Sequence, residues 1–143
     1  NTMQTFMTTY DYKIVAKELD YRRLGKQRVE GMQTHNQLIK GKGGYKHHPI
    51  NAMWKGFESS LAEYTNAMIH EWIARGYNNT MELIECCSDF RSILKCNHAK
   101  PEWVYSDSLH LSHKSNLLRK DYEYYSLLYG THIPTELPYI WST

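Results

Sequence analysis

Ile50, Met53, Trp54, Phe57, Leu61, Tyr64, Met68 and Trp72 recur at the i, i+3, i+4, i+7 spacing of one helical face. A stripe that long and that aromatic has to be buried against other elements, so it marks the central helix of a helical core. His48-Pro49 opens it, with proline in the first turn, where its missing N–H costs nothing, and Gly76 closes it. The remaining patterns are helical too, and none alternates as a strand would. A short helix is expected over residues 11–18. Asp20 is a plausible N-cap for a longer one ending near Lys40, with Gly41 past its end. Thr80 is a candidate cap for a helix carrying Leu83, Ile84, Cys87, Ile93 and Leu94. After Pro101, Ser106 or Asp107 could cap another through Leu109, Ser112, Leu117 and Leu118. The tail, with Pro134 and Pro138, reads as extended chain over the helices. The expectation is an all-α fold: one compact domain over residues 1–143, four to five helices, irregular loops and an extended C-terminal tail.

A chain of 143 residues can bury such a core without disulfides or a metal. It contains no apolar run of the ~20 residues a membrane span needs. The start, Asn1-Thr2-Met3-Gln4-Thr5-Phe6, lacks the basic and apolar regions of a signal peptide. Cys86, Cys87 and Cys96 form no CxxC pair, which argues for reduced thiols and against a zinc ribbon. These features point to an intracellular protein, of the cytoplasm or nucleoid, a nucleus or a virus-infected cell. A net charge of +2 does not announce a nucleic-acid binder, but the cations cluster. Arg22, Arg23, Lys26 and Arg28 form one group; Lys40, Lys42 and Lys46 form a second around a glycine-rich turn; Lys114, Arg119 and Lys120 form a third.

The first cluster carries the chemistry. In Leu19-Asp20-Tyr21-Arg22-Arg23-Leu24-Gly25-Lys26-Gln27-Arg28-Val29-Glu30, helical spacing puts Arg23, Lys26, Gln27 and Glu30 on one face. A carboxylate among cations stays ionised and can take a proton, and the cations would hold a polyanion against it. The plainer alternative is a solvated face with an ordinary Lys26–Glu30 pair. Gly25 and Gly31 each cost about 1 kcal/mol in a helix, so another helix or a ligand must approach the backbone there. Tyr45-Lys46-His47-His48-Pro49, at a helix N-terminus, could seat a phosphate on Lys46 and His48, or His48 could simply cap the helix. His113, Ser115, Asn116, Arg119 and Lys120 supply the donors that contact phosphates. The i,i+3 pair His110 and His113 lacks a third ligand, and no metal is expected. Nor does the chain carry a GxSxG, P-loop or dinucleotide fingerprint.

The Asp20–Glu30 string resembles the signature of a branch of the pyrimidine-dimer DNA glycosylase family, typified by phage endonuclease V. Further segments agree in order: Met3-Gln4-Thr5-Phe6; His48-Pro49 with Met53-Trp54, Gly56-Phe57-Glu58 and Glu71-Trp72 to Arg75-Gly76-Tyr77; then Ser112-His113, Ser115 to Lys120, Tyr124-Tyr125 and Pro138-Tyr139-Ile140-Trp141. The resemblance spans nearly the whole chain. It implies a small helical domain, acting as a monomer on double-stranded DNA, with glycosylase and abasic-site lyase activity and no cofactor. An uncharged amine attacks C1′ of the damaged nucleotide and leaves an imine; a glutamate then helps remove a C2′ proton, and β-elimination cuts the strand. The family's glutamate falls on Glu30, with Arg22, Arg23, Lys26 and Arg28 for phosphates. The nucleophile is where this chain departs from the type member, because its segment before Asp20 is longer. The amine is either N-terminal (Asn1, or the native terminus, Met3 among the candidates) or that of Lys26, where flanking arginines would favour the uncharged form. The resemblance favours the terminus. Two other functions fit the same residues: the same chemistry on another damaged or modified base, and DNA binding without catalysis.

Overall fold

The computed structural model describes residues 3–41, 47–85 and 97–142, and among these every regular element is helical. Six α-helices follow in order: α1 (Tyr12–Glu18), α2 (Tyr21–Lys40), α3 (Pro49–Trp54), α4 (Glu58–Ala74), α5 (Asp107–Lys120) and α6 (Tyr122–Tyr129); a 3₁₀ turn at Glu102–Tyr105 precedes α5. None of the described helices is long and apolar enough to cross a membrane.

Local chemistry sets most boundaries. Asp11 starts α1 by accepting from the N–H groups of Lys13 and Ile14, Asp20 starts α2 by accepting from Arg22, and Ser106 starts α5 by accepting from Leu109. Three differences from the sequence expectation stand out. The long apolar stripe is split, because the chain turns at Gly56 (φ 87°) and α3 and α4 pack separately on the same core. The tail turns helical over Tyr122–Tyr129, capped by Asp121, before running irregularly to residue 142. The helix expected from Thr80 is absent over residues 80–85, which are irregular. Cys86, Cys87, Ile93, Leu94 and Cys96 lie outside the described residues, as do Asn1, Thr2 and the glycine-rich loop through Lys46.

The core gathers Trp54, Tyr64, Met68, Leu24, Val15, Leu109, Leu117 and Tyr125 around α4. Helices α2 and α4 approach closely, and this answers why α2 carries glycines. A Cβ on Gly25 would stand 3.0 Å from the Trp72 ring, and one on Gly31 would press into Thr65, 3.1 Å from its Cβ. The close partner is therefore a helix. Arg75, paired with Glu71 at 2.8 Å, donates to the carbonyls of Ala16 and Leu19 and so ties the end of α1 to α4.

The segment over residues 3–8 has no secondary structure, yet it is almost entirely buried. Buried N–H and C=O groups need partners, and here side chains supply them. Thr5 N–H donates to the Tyr139 hydroxyl, which donates back to Thr5 C=O. Phe6 N–H donates to Tyr64, and Met7 N–H to His113 Nδ1. Trp54 Nε1 donates to the Thr5 hydroxyl at 2.9 Å. Helices α3, α4 and α5 and the tail thus grip this segment and deliver Gln4 to one place on α2.

Candidate active site

That place is an open cavity of about 580 Å³, lined by Gln4, Phe6, Arg22, Arg23, Lys26, Gln27, Glu30 and Lys120. The helical face read from the sequence, Arg23, Lys26, Gln27 and Glu30, lines it as a unit. Arg22 and Lys26 are exposed; Arg23 is half-buried and pairs with Asp20 at 3.3 Å. Helix α5 adds Lys120 from its last turn, ninety residues away in sequence from Glu30.

Among the described residues, Glu30 is the one carboxylate lining the cavity. Burial raises its pKa above the ordinary carboxylate value, opposed by the Gln4 N–H and by Lys26 and Lys120. A carboxylate lifted in this way is a stronger base than one in water. Gln4 N–H donates to Glu30 Oε1 at 3.2 Å, and Gln27 Nε2 lies 3.3 Å from the same oxygen. Lys120 is pushed the other way: burial, then the neighbouring Arg23, Lys26 and Arg119, lower its pKa, against Glu30.

Several residues read as phosphate contacts sit elsewhere. Arg28 turns to the far flank of α2, where its guanidinium lies 4.0 Å over the Trp72 ring and donates to Asn79 at 3.0 Å. It does not stand beside Glu30. His113 is fully buried; its Nδ1 accepts from Met7 N–H and its Nε2 donates to Ile140 C=O, each at 2.8 Å, so neither ring nitrogen is left for a phosphate. Ser115 is buried and accepts from Leu137 N–H, and Asn116 is buried beside it. Arg119 donates to the carbonyls of Thr135 and Leu137, fastening the tail. His113, Ser115 and Arg119 thus satisfy backbone groups of the N-terminal segment and the tail, which explains their polarity without DNA, while the buried Asn116 Oδ1 has no hydrogen-bond partner among the described residues. His48 caps α3, its Nδ1 accepting from Ile50 N–H at 3.1 Å, and its ring meets Trp141 edge-on. Asn1 and Lys46 lie outside the described residues.

Gln4, Phe6 and Gln27 are site residues to which sequence reasoning gave no role. Gln27 belonged to the right helical face, but an uncharged amide attracts no notice in a charge pattern. Gln4 and Phe6 lay in the segment that resembled the family's start, and that was the available signal.

The family described as pyrimidine dimer DNA glycosylase matches residues 3–85, more than half of the chain and the part that supplies every cavity residue except Lys120. No curated protein and no solved structure matches significantly. On the extent of the family match, this chain belongs to the pyrimidine dimer DNA glycosylases, a family of DNA-repair enzymes.

Proposed function

We propose that the protein excises pyrimidine dimers from duplex DNA and then cuts the strand as an abasic-site lyase, through an imine between an amine of the protein and C1′ of the sugar. The observation that carries this reading is the meeting of Glu30 with a main-chain nitrogen inside a cationic cavity. Gln4 N lies 3.2 Å from Glu30 Oε1, with Arg22, Arg23, Lys26 and Lys120 around them. The cations suit the phosphates flanking a nucleotide drawn out of the stack, a step that costs least where the base is already damaged.

In this reading the uncharged amine attacks C1′, the glycosidic C–N bond breaks, and the base leaves with the bonding pair and takes up a proton. The adduct loses one N–H proton, and its sugar ring opens as O4′ takes up a proton, leaving a protonated imine. Glu30 then accepts a C2′ proton; the electron pair forms the C1′–C2′ enamine and then the C2′–C3′ double bond as the C3′–O bond breaks and the 3′ phosphate departs. Water later releases the sugar from the amine. The protein acts as a monomer, and no cofactor enters any step.

The nucleophile is the amine of the native N-terminus. A main-chain nitrogen of the N-terminal segment, that of Gln4, lies 3.2 Å from Glu30 Oε1, and an α-amine on Met3 would stand one residue, ~3.6 Å of chain, from that point. Its ordinary pKa near ~8 leaves much of it uncharged at neutral pH. Lys26, on the cavity wall, is the competing amine.

Borohydride trapping tests this on two duplexes, one with a single thymine dimer and one with an abasic site. Adducts on both, mapped to the N-terminal peptide, are expected. An adduct mapped to Lys26 would overturn the choice of nucleophile, an adduct on the abasic duplex alone would move the substrate to another damaged base, and no adduct would remove the amine mechanism and favour DNA binding without catalysis.

A further inference from the structure

One polar side chain in the cavity carries no charge and is 2 % exposed: Gln27. It stands between the two groups on which the proposed chemistry depends. Its Nε2 lies 2.8 Å from Gln4 C=O and 3.3 Å from Glu30 Oε1, and its Oε1 accepts from the Tyr64 hydroxyl at 2.7 Å. The partners fix the orientation of the amide. A carbonyl and a carboxylate only accept, so the two hydrogens of the NH₂ face them, one each. Tyr64 Oη receives Phe6 N–H at 3.2 Å and also lies 2.8 Å from Phe6 C=O. Tyr64 is buried, which pushes its phenol well above the ordinary range; it keeps its proton and acts as donor.

Both protein donors to Glu30, the Gln4 N–H and the Gln27 amide, fall on Oε1. Among the described residues no donor reaches Oε2. The carboxylate is held by one oxygen and offers the other.

We infer that Gln27 is the positioning residue of the reaction, the link that locks Glu30 to the main chain at Gln4 and fixes which carboxylate oxygen takes the proton. The inference rests on the reading above in which Glu30 is the base. Gln27 acts through Glu30 and Gln4 and touches no reacting atom. Its hydrogen bond favours the charged form of Glu30 against the burial that opposes it. Tyr64 anchors the amide from α4, so the set extends from the core to the cavity wall.

The charged and titratable groups facing Glu30 are Arg22, Arg23 and Lys26 on its own helix, Lys120 on α5, Tyr64 on α4 and Tyr139 in the tail. Among the described residues Glu30 is the only carboxylate of the set, and once the imine has formed the attacking amine no longer competes for protons, so the acid limb of the elimination step reports on Glu30. The test is single-turnover elimination from the imine, formed on an abasic-site duplex at about pH 8 and then shifted to each pH, together with affinity for that duplex. Gln27→Met keeps length and volume and removes the donors. It is expected to move the acid limb upward by about one pH unit and to lower the plateau rate, with DNA affinity unchanged. Gln27→Glu sets a second carboxylate against Glu30 and should move the limb further. Tyr64→Phe, which frees the amide to turn, should move it in the same direction by less, and it carries the test if the Gln27 variants do not fold. An acid limb that stays at the wild-type pH in all folded variants would overturn the inference, as would a rate loss matched by an equal loss of DNA binding. Glu30→Gln separates this from the underlying reading. If Glu30→Gln still cleaves, Glu30 is not the base; if it is inactive while the Gln27 variants keep the wild-type profile, the role of Gln27 alone fails.

Discussion

His113 makes the stability of this protein depend on pH in a calculable way. Its ring is fully buried, stacked on Tyr139 at 4.4 Å, with Nδ1 accepting from Met7 N–H and Nε2 donating to Ile140 C=O. Those roles require the neutral imidazole. A proton on Nδ1 would set two donors against each other and bury a charge. Burial accordingly pushes His113 down from 6.5 to about 4, against the help of the Ile140 carbonyl. The folded value lies below the unfolded one, so the unfolded chain binds the proton first. The stabilisation is complete above pH 6.5 and is lost as pH falls through 4. A depression from 6.5 to about 4 corresponds to about 3 kcal/mol, most of it gone by pH ~4.5. Because His113 clamps Met7 and the tail, the same loss would release the segment that brings Gln4 to Glu30. Urea unfolding at pH 7.5 and pH 4.5 measures the effect, with His113→Gln as the control that removes this titration alone. Wild type is expected to lose about 2–3 kcal/mol more than the variant between those pH values. Equal losses in the two proteins would mean that His113 does not set this pH dependence.

Other perturbations follow from the same contacts. Gly31→Ala gains about 1 kcal/mol of helix propensity but drives a methyl into Thr65, so a net destabilisation of about 1–2 kcal/mol in urea is expected, relieved by adding Thr65→Ala. Asp20 caps α2, pairs with Arg23 and accepts from the Tyr125 hydroxyl; Asp20→Ala should lower stability by about 2 kcal/mol in thermal or urea unfolding. Affinity for undamaged DNA should fall steeply with salt, and Lys26→Ala should reduce the log–log slope by about 1. Arg28→Ala should leave that slope unchanged and cost stability instead, since its guanidinium packs on Trp72. The same slope change in both would overturn their separate placement.

The legible part of the fold was the part written in local chemistry. Asp20, Lys40 and Gly41 bound α2 where the sequence put them, and His48-Pro49 opens α3, because caps and turns are decided by neighbours a few residues away. Gly56 was hidden by the stripe around it: apolar spacing continues across the break because both short helices face one core. Helix α6 was hidden by its tyrosines, which serve on a buried face (Tyr125, fully buried) and an exposed one (Tyr122, 47 % exposed) alike. In the site, Glu30 and its cations share one helical face and could be found by spacing. The partners of His113, Ser115 and Arg119 could not. A polar side chain that satisfies a backbone group 106 residues away, as His113 does for Met7, looks in sequence like one that waits for a phosphate.

In the proposed mechanism Glu30, held by Gln4 and Gln27 in a cationic cavity, is the base that cuts the strand. Strand cleavage and equilibrium binding of a dimer-containing duplex, measured together for wild type and Glu30→Gln, decide this. Glu30→Gln keeps the size and the hydrogen-bonding oxygen of the side chain but cannot take the proton. Undiminished binding and cleavage reduced to background are expected. Cleavage by Glu30→Gln at the wild-type rate would contradict it.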